Sequence, residues 1–130
     1  MKKRLGEQRY KIVAVVHAET STGVRNPVDE IGALVRDTDA LYLVDGVTSL
    51  GGIPVKLDEW GVDAFYSGTQ KCLSVPPGLA PASFSDRAIS VVENRKAKVP
   101  NWYLDVSMLS ALLCRGRAGS EATTTPRQST

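Results

Sequence analysis

Short charge-free runs of aliphatic, mostly β-branched residues alternate along this chain with segments whose apolar residues recur every three to four positions. That rhythm constrains the fold more than any other feature. From Ile12 to Val16 the residues are all aliphatic, which predicts a strand buried on both faces over Lys11–Val16. A polar loop, His17-Ala18-Glu19-Thr20-Ser21-Thr22-Gly23, follows it. Asn26-Pro27 then predicts an N-cap with proline at the first helical position, and Asp29 and Glu30 fall in the first turn, where the helix dipole favours negative charge. Ile31, Leu34 and Val35 form the expected buried stripe of that helix.

The pattern then repeats. Ala40–Val44 reads as a second buried strand, stopping at Asp45-Gly46, and Gly51-Gly52-Ile53-Pro54 leads to a helical turn around Asp58-Glu59-Trp60 closed by Gly61. Asp63–Tyr66 is a third strand with the loop Ser67–Lys71 at its carboxyl end, and Pro76-Pro77-Gly78 breaks the chain before a fourth, Leu79–Phe84. Ser85-Asp86 caps a helix running to about Arg95, and Asp105 begins another that carries Val106, Leu109, Leu112 and Leu113.

Strand–helix alternation of this kind predicts an α/β fold, a parallel sheet with helices on its faces and right-handed crossovers. Sites in such sheets lie beyond the carboxyl ends of the strands. Three polar clusters converge there: Glu19–Thr22, Asp45, and Thr69–Lys71. Composition narrows the partners. With 16 basic against 14 acidic residues the net charge is only +2, too small and too scattered to predict a nucleic-acid or membrane surface. The longest apolar runs have five residues, against the roughly 20 of a membrane span, and Lys2-Lys3-Arg4 is followed by no signal-peptide core. The expected setting is cytoplasmic. Two cysteines, Cys72 and Cys114, make neither a disulfide framework nor a zinc set, and no metal site is expected.

Each polar residue has more than one reading. Asp45, directly after a hydrophobic strand, is a turn residue or, if buried, a carboxylate facing a cation. Lys71 alone is a surface lysine, but Gly68 and Pro76-Pro77-Gly78 around it suggest a shaped loop. His17, the one histidine, reads as a satisfied polar residue at a strand end, and with it alone there is no Ser-His-Asp set and no partner placed to activate Cys72. No Gly-x-Gly-x-x-Gly and no Walker-type Gly-Lys-Ser/Thr is present, which argues against nicotinamide and ATP. A lysine and a carboxylate at neighbouring strand ends do fit pyridoxal 5'-phosphate. That cofactor needs an amine for its aldehyde and an anion to keep its pyridine nitrogen protonated.

The segments His17–Gly23, Leu43–Gly52, Tyr66–Leu73 and Pro76-Pro77-Gly78 carry a resemblance. Together, with 26 residues from Asp45 to Lys71, they resemble the central part of class V aminotransferases of the alanine–glyoxylate and serine–glyoxylate (serine–pyruvate) branch. The resemblance implies a partial three-layer α/β sandwich with a mostly parallel sheet, the central part of the large domain of a fold-type I pyridoxal-phosphate enzyme, over residues 1–113. It implies that Lys71 forms the Schiff base and shuttles the proton, that Asp45 pairs with the pyridine nitrogen, and that Val47 packs on the ring. Thr20 would contact the ring's polar edge and Gln70 the phosphate, with Thr69 in the same region. Small amino acids and 2-oxo acids are the implied substrates, and family members are homodimers.

Family members are also much longer. An upstream phosphate-cradling glycine loop, a partner-reaching Tyr-His-His segment and a substrate-carboxylate arginine are expected in the family and have no counterpart here. The alternative expectation is therefore an inactive, non-enzymatic remnant that binds the cofactor weakly. Residues 114–130 are expected to form a disordered tail, either a natural Thr/Ser-rich one or the product of a reading-frame shift. The codons of Thr123–Thr130, read one base earlier, can spell a Tyr-His-His segment.

Overall fold

A computed structural model describes residues 1–108. They fall into two compact units, Met1–Ala88 and a second that begins at Ile89. The elements run α1 (Lys2–Glu7), β1 (Ile12–Val16), α2 (Val28–Arg36), β2 (Leu41–Asp45), α3 (Leu57–Trp60), β3 (Ala64–Tyr66), β4 (Ala82–Phe84), α4 (Asp86–Glu93) and a 3-10 turn over Trp102–Leu104. The sequence gives no strong signal for α1, and it buries no residue. The predicted residues Leu109, Leu112, Leu113 and Cys114, and the tail, lie outside the described residues.

The first unit is built on a four-stranded sheet in the order β1-β2-β3-β4. β1 pairs parallel with β2, Val13 opposite Tyr42 and Val15 opposite Val44, and β2 pairs parallel with β3, Val44 opposite Phe65. Because side chains alternate across a strand, Val13, Val15, Tyr42, Val44 and Phe65 share one face. They pack with Val28 and Val35 of α2 and with Leu57 and Trp60 of α3 into a single core. Tyr42, Val28, Val35 and Val44 are at most 2% exposed, and each such side chain contributes about 1.5–3 kcal/mol by burial. The Tyr42 hydroxyl donates to the Val28 carbonyl at 2.9 Å, joining the sheet to the start of α2. Burial, with Asp29 nearby, pushes the Tyr42 phenol well above its usual range. Gly32 is required by contact: a Cβ there would lie 2.1 Å from the Trp60 carbonyl oxygen.

Three expectations need correction. β1 is not buried on both faces. Val13 and Val15 face the core, while Ile12, 55% exposed, and Ala14 face away from it. α2 starts one residue late: Pro27 occupies the cap position, and Asn26 instead sends its side-chain amide to the Val16 carbonyl at 2.7 Å, joining loop to strand. The fourth strand is three residues long and antiparallel to β3. A parallel return needs a crossover that carries the chain to the other end of the sheet. Residues 67–81 stay at the carboxyl end, where Ser67 N–H bonds the Pro81 carbonyl at 2.8 Å and Val75 N–H bonds that of Thr69 at 3.1 Å, so the chain re-enters from the end it left.

At the opposite, amino-terminal end of β3 the buried carboxylate of Asp63 ties the unit together. It accepts the Tyr42 N–H at 2.8 Å, the Ser85 hydroxyl at 2.8 Å, and Arg87 Nε and Nη2 at 3.0 and 2.7 Å. Arg87 also donates to the Ala40 carbonyl, and the Ser85 oxygen accepts the Ala88 N–H at 3.1 Å, the expected cap of α4. Burial would raise the Asp63 pKa, but the bonds from Arg87, Tyr42 and Ser85 outweigh it and hold the carboxyl below its ordinary value. In the second unit, Arg95 and Asp105 form a 2.7 Å ion pair, and that bond leads the causes that push the Asp105 carboxyl down to about 2. No helix among the described residues is long and apolar enough to cross a membrane.

Candidate functional site

All three polar clusters stand at the carboxyl end of the parallel strands, and hydrogen bonds tie their loops into one edge. The first loop leaves β1 at His17, whose N–H bonds the Asp45 carbonyl at 2.8 Å. It closes on itself through Glu19: the carboxylate accepts Ser21 N–H at 3.1 Å and Ser21 hydroxyl at 2.9 Å, bonds that lower the Glu19 pKa. The Thr48 hydroxyl of the second loop donates to the Ala18 carbonyl of the first. The third loop joins the second from two places. Ser67 Oγ donates to the Gly46 carbonyl at 3.1 Å, and Cys72 Sγ to that of Thr48 at 3.2 Å. Gly46 is pinned by packing as well as bonding: a Cβ there would fall 2.2 Å from the Phe65 ring.

Asp45 ends β2 half-buried, on the sheet face opposite the core residues Tyr42 and Val44. Its Oδ1 accepts the Val47 N–H at 2.9 Å, an Asx turn that starts the second loop. Its Oδ2 accepts the Tyr66 hydroxyl at 2.6 Å. Tyr66 is the register partner of Asp45 across the β2–β3 ladder, so the two side chains rise on the same face. The bond to the carboxylate raises the Tyr66 pKa, with burial and the negative charge adding to it. Tyr66 and the linkers Thr48 and Ser67 are absent from the sequence-derived set. The available signal was position: Tyr66 ends its strand as Asp45 ends the neighbouring one.

Lys71 lies exposed in the turn after β3, and among the described residues its amine has no ion-pair or side-chain hydrogen-bond partner. The turn is shaped by the Ser74 N–H, which bonds the Lys71 carbonyl at 2.9 Å with Ser74 itself at φ 56°. Gln70 is exposed and folds back over Gly68, where a Cβ would meet its Oε1 at 2.7 Å. Thr69 is 5% exposed and its hydroxyl donates to the Pro76 carbonyl at 2.7 Å, so this side chain closes the loop that presents Gln70 and Lys71. Thr20 is exposed at the tip of the first loop, and Val47 is half-buried in the second.

His17 departs from its expected role. It is 4% exposed, packs edge-on to Trp60 at 5.3 Å between ring centres, and its Nδ1 has no hydrogen-bond partner among the described residues. Burial first, and the Arg25 charge second, lower its pKa. It therefore belongs to the support beneath the loops. No cluster of metal-binding side chains occurs among the described residues.

Chemically, the edge offers a fixed carboxylate and an exposed lysine amine on loops joined to each other, with hydroxyl and amide groups beside them. The model of the family described as aminotransferase class-V matches residues 1–103. Alanine–glyoxylate aminotransferase of Rattus norvegicus is 43% identical over 114 residues, 87% of this chain and 28% of the rat enzyme. (S)-Ureidoglycine–glyoxylate transaminase of Bacillus subtilis is 54% identical over 86 residues, 66% of this chain and 21% of that enzyme. Among solved structures, an alanine–glyoxylate aminotransferase from Nostoc superposes with a TM-score of 0.82 at 47% identity, covering 95% of this chain and 31% of its own. The chain thus spans less than a third of the length of these relatives.

Proposed function

The chain belongs to the class-V aminotransferase family, and on that premise we propose that it carries the cofactor-facing edge of a pyridoxal-phosphate-dependent transaminase. The reaction is transfer of an amino group from alanine or serine to glyoxylate or pyruvate. Glyoxylate stands in the names of both curated relatives described above, which supports it as the acceptor. The observation that carries the reading is that an exposed Lys71, without a side-chain partner among the described residues, and an anchored Asp45 stand on hydrogen-bonded loops at the same carboxyl edge of the sheet.

The residues present fit the cofactor. A carboxylate has about four lone-pair positions, and Asp45 uses one on each oxygen, leaving both oxygens able to accept a pyridinium N–H. When bound, pyridoxal phosphate supplies an aldehyde that takes the amino group and a ring that accepts the electrons left on the substrate carbon. Asp45 would hold the proton on the pyridine nitrogen. Lys71 would anchor the cofactor covalently and, once displaced by substrate, carry a proton from the substrate Cα. Val47 would pack on the ring, Thr20 bond its polar edge and Gln70 reach the phosphate, with Thr69 holding the loop that presents Gln70.

Titration of the purified chain with pyridoxal phosphate, followed by visible absorbance, tests this. A new band that borohydride reduction removes, leaving a stable covalent attachment that maps to Lys71, and that is abolished in Lys71→Ala, supports it. The absence of any Lys71-dependent band favours the non-enzymatic remnant instead.

A further inference from the structure

Asp45 is the last residue of its strand, where the ladder stops constraining the backbone, and a carboxylate there can turn about two side-chain torsions. Two donors remove that freedom. One is local, the Val47 N–H two residues on, at 2.9 Å. The other comes from the next strand, the Tyr66 hydroxyl at 2.6 Å. The local bond fixes Oδ1 relative to its own loop, and the phenol fixes Oδ2 relative to β3, the strand that leads directly into the Lys71 loop. The phenol is thus the side-chain link between the carboxylate and the element that delivers the lysine.

We propose that Tyr66 is the positioning residue of this site: its hydroxyl holds the Asp45 carboxylate at the orientation in which the free lone pairs face the cofactor's ring nitrogen. This rests on the function proposed above. The phenol also withdraws part of the negative charge of Asp45 into a short charge-assisted bond, so it restrains how strongly the carboxylate draws a second proton. Removal of the hydroxyl frees the carboxylate to rotate and leaves its anchoring to the Val47 N–H alone.

Cofactor titration of the full chain in four forms separates the possibilities: unsubstituted, Tyr66→Phe, Asp45→Asn and the double variant. Once the carboxylate is released, the cofactor must order it on binding, and ordering one side chain costs up to about a factor of ten in a binding constant. Tyr66→Phe is therefore expected to raise the pyridoxal phosphate dissociation constant about tenfold, and to have almost no effect when Asp45 is already Asn. A second readout needs no cofactor. In an alkaline absorbance titration, the tyrosinate component that disappears in Tyr66→Phe should move to lower pH in Asp45→Asn. An equal loss from Tyr66→Phe in both backgrounds, or a tyrosinate titration unchanged by Asp45→Asn, overturns the positioning role while leaving the Lys71 reading intact. No Lys71-dependent signal in the unsubstituted chain overturns the proposed function itself, and the positioning role with it.

Discussion

Asp63→Ala is expected to be among the most destabilising single changes in the first unit, although the residue lies at the opposite end of β3 from the candidate site. The Asp63 side chain is 8% exposed and accepts four hydrogen bonds, from the Tyr42 N–H, the Ser85 hydroxyl and two nitrogens of Arg87. Their contributions differ. Arg87 is 47% exposed, so water replaces much of what it loses, and its share is about 0.2–1 kcal/mol. Tyr42 N–H is different, because it is enclosed between strands and would be left without an acceptor, at about 1–3 kcal/mol. The Ser85 bond adds about 1 kcal/mol, since its loss also loosens the cap of α4. The sum is about 3 kcal/mol, a large part of the 5–15 kcal/mol by which a domain is stable.

Urea unfolding followed by intrinsic fluorescence measures this. With a slope of about 1.5 kcal/mol/M the midpoint should fall by about 2 M. Asp63→Asn, which keeps the shape but turns an amide toward donors, should lose about 2 kcal/mol. The pH dependence supplies an independent check. Because the folded pKa of Asp63 is depressed, the unfolded chain binds the proton more readily. The stabilisation is therefore fully present above the ordinary carboxylate range near about 4 and is lost as pH falls through the folded value. Asp63→Asn should flatten that acid limb. A midpoint shift in Asp63→Ala worth less than about 1 kcal/mol would refute the account, as would an acid limb identical in both chains.

Three further outcomes follow from particular contacts. Gly32→Ala places a Cβ 2.1 Å from the Trp60 carbonyl oxygen and must push α3 away from α2, so thermal melting should show a loss of about 2–3 kcal/mol, whereas Gly6→Ala, with open space around it, should lose nothing. His17 has a lowered folded pKa, so its contribution is complete above about pH 6.5 and declines as pH falls below it; His17→Phe should remove that part of the pH dependence in urea midpoints measured between about pH 7 and 5. Gly46→Ala, with its Cβ 2.2 Å from the Phe65 ring, should disturb the Asp45 loop and weaken pyridoxal phosphate binding more than it lowers the melting temperature.

The fold was legible where local periodicity and the global sheet agree. β2 reads as buried because Tyr42 and Val44 meet α2 and α3 while Leu41 and Leu43 are half-covered on the other face. β1 has the same composition but not the same environment. Among the described residues it pairs with β2 alone, and Ile12 stands 55% exposed, a fact about neighbours that aliphatic residues do not encode. Asn26-Pro27 carries every local mark of a helix start, yet a tertiary acceptor, the Val16 carbonyl, takes the asparagine and shifts the helix by one residue. Strand direction was equally hidden: Leu79–Phe84 announces a strand, whereas its antiparallel sense depends on how residues 67–81 bond back on themselves.

The site shows the same division at closer range. The placement of Asp45 and Lys71 at one edge was readable because each ends or follows a strand, and strand ends of a parallel sheet converge by topology alone. The Tyr66 contact was not readable, because it depends on register. A shift of one residue in the β2–β3 pairing would turn its hydroxyl to the other face and leave Asp45 with the Val47 N–H only. Register here is held from the core side, where Val44 stands opposite Phe65 and Phe65 fills the space that Gly46 leaves open. The packing that makes Gly46 obligatory therefore also brings the phenol to the carboxylate, and loss of the Phe65 ring should reach the carboxylate on the far face of the sheet. Phe65→Leu is expected to weaken pyridoxal phosphate binding without touching any residue proposed to meet the cofactor, and to do so no further once Tyr66 is Phe. Additive losses in that pair would show that the core acts on the site by some route other than the Tyr66 hydroxyl.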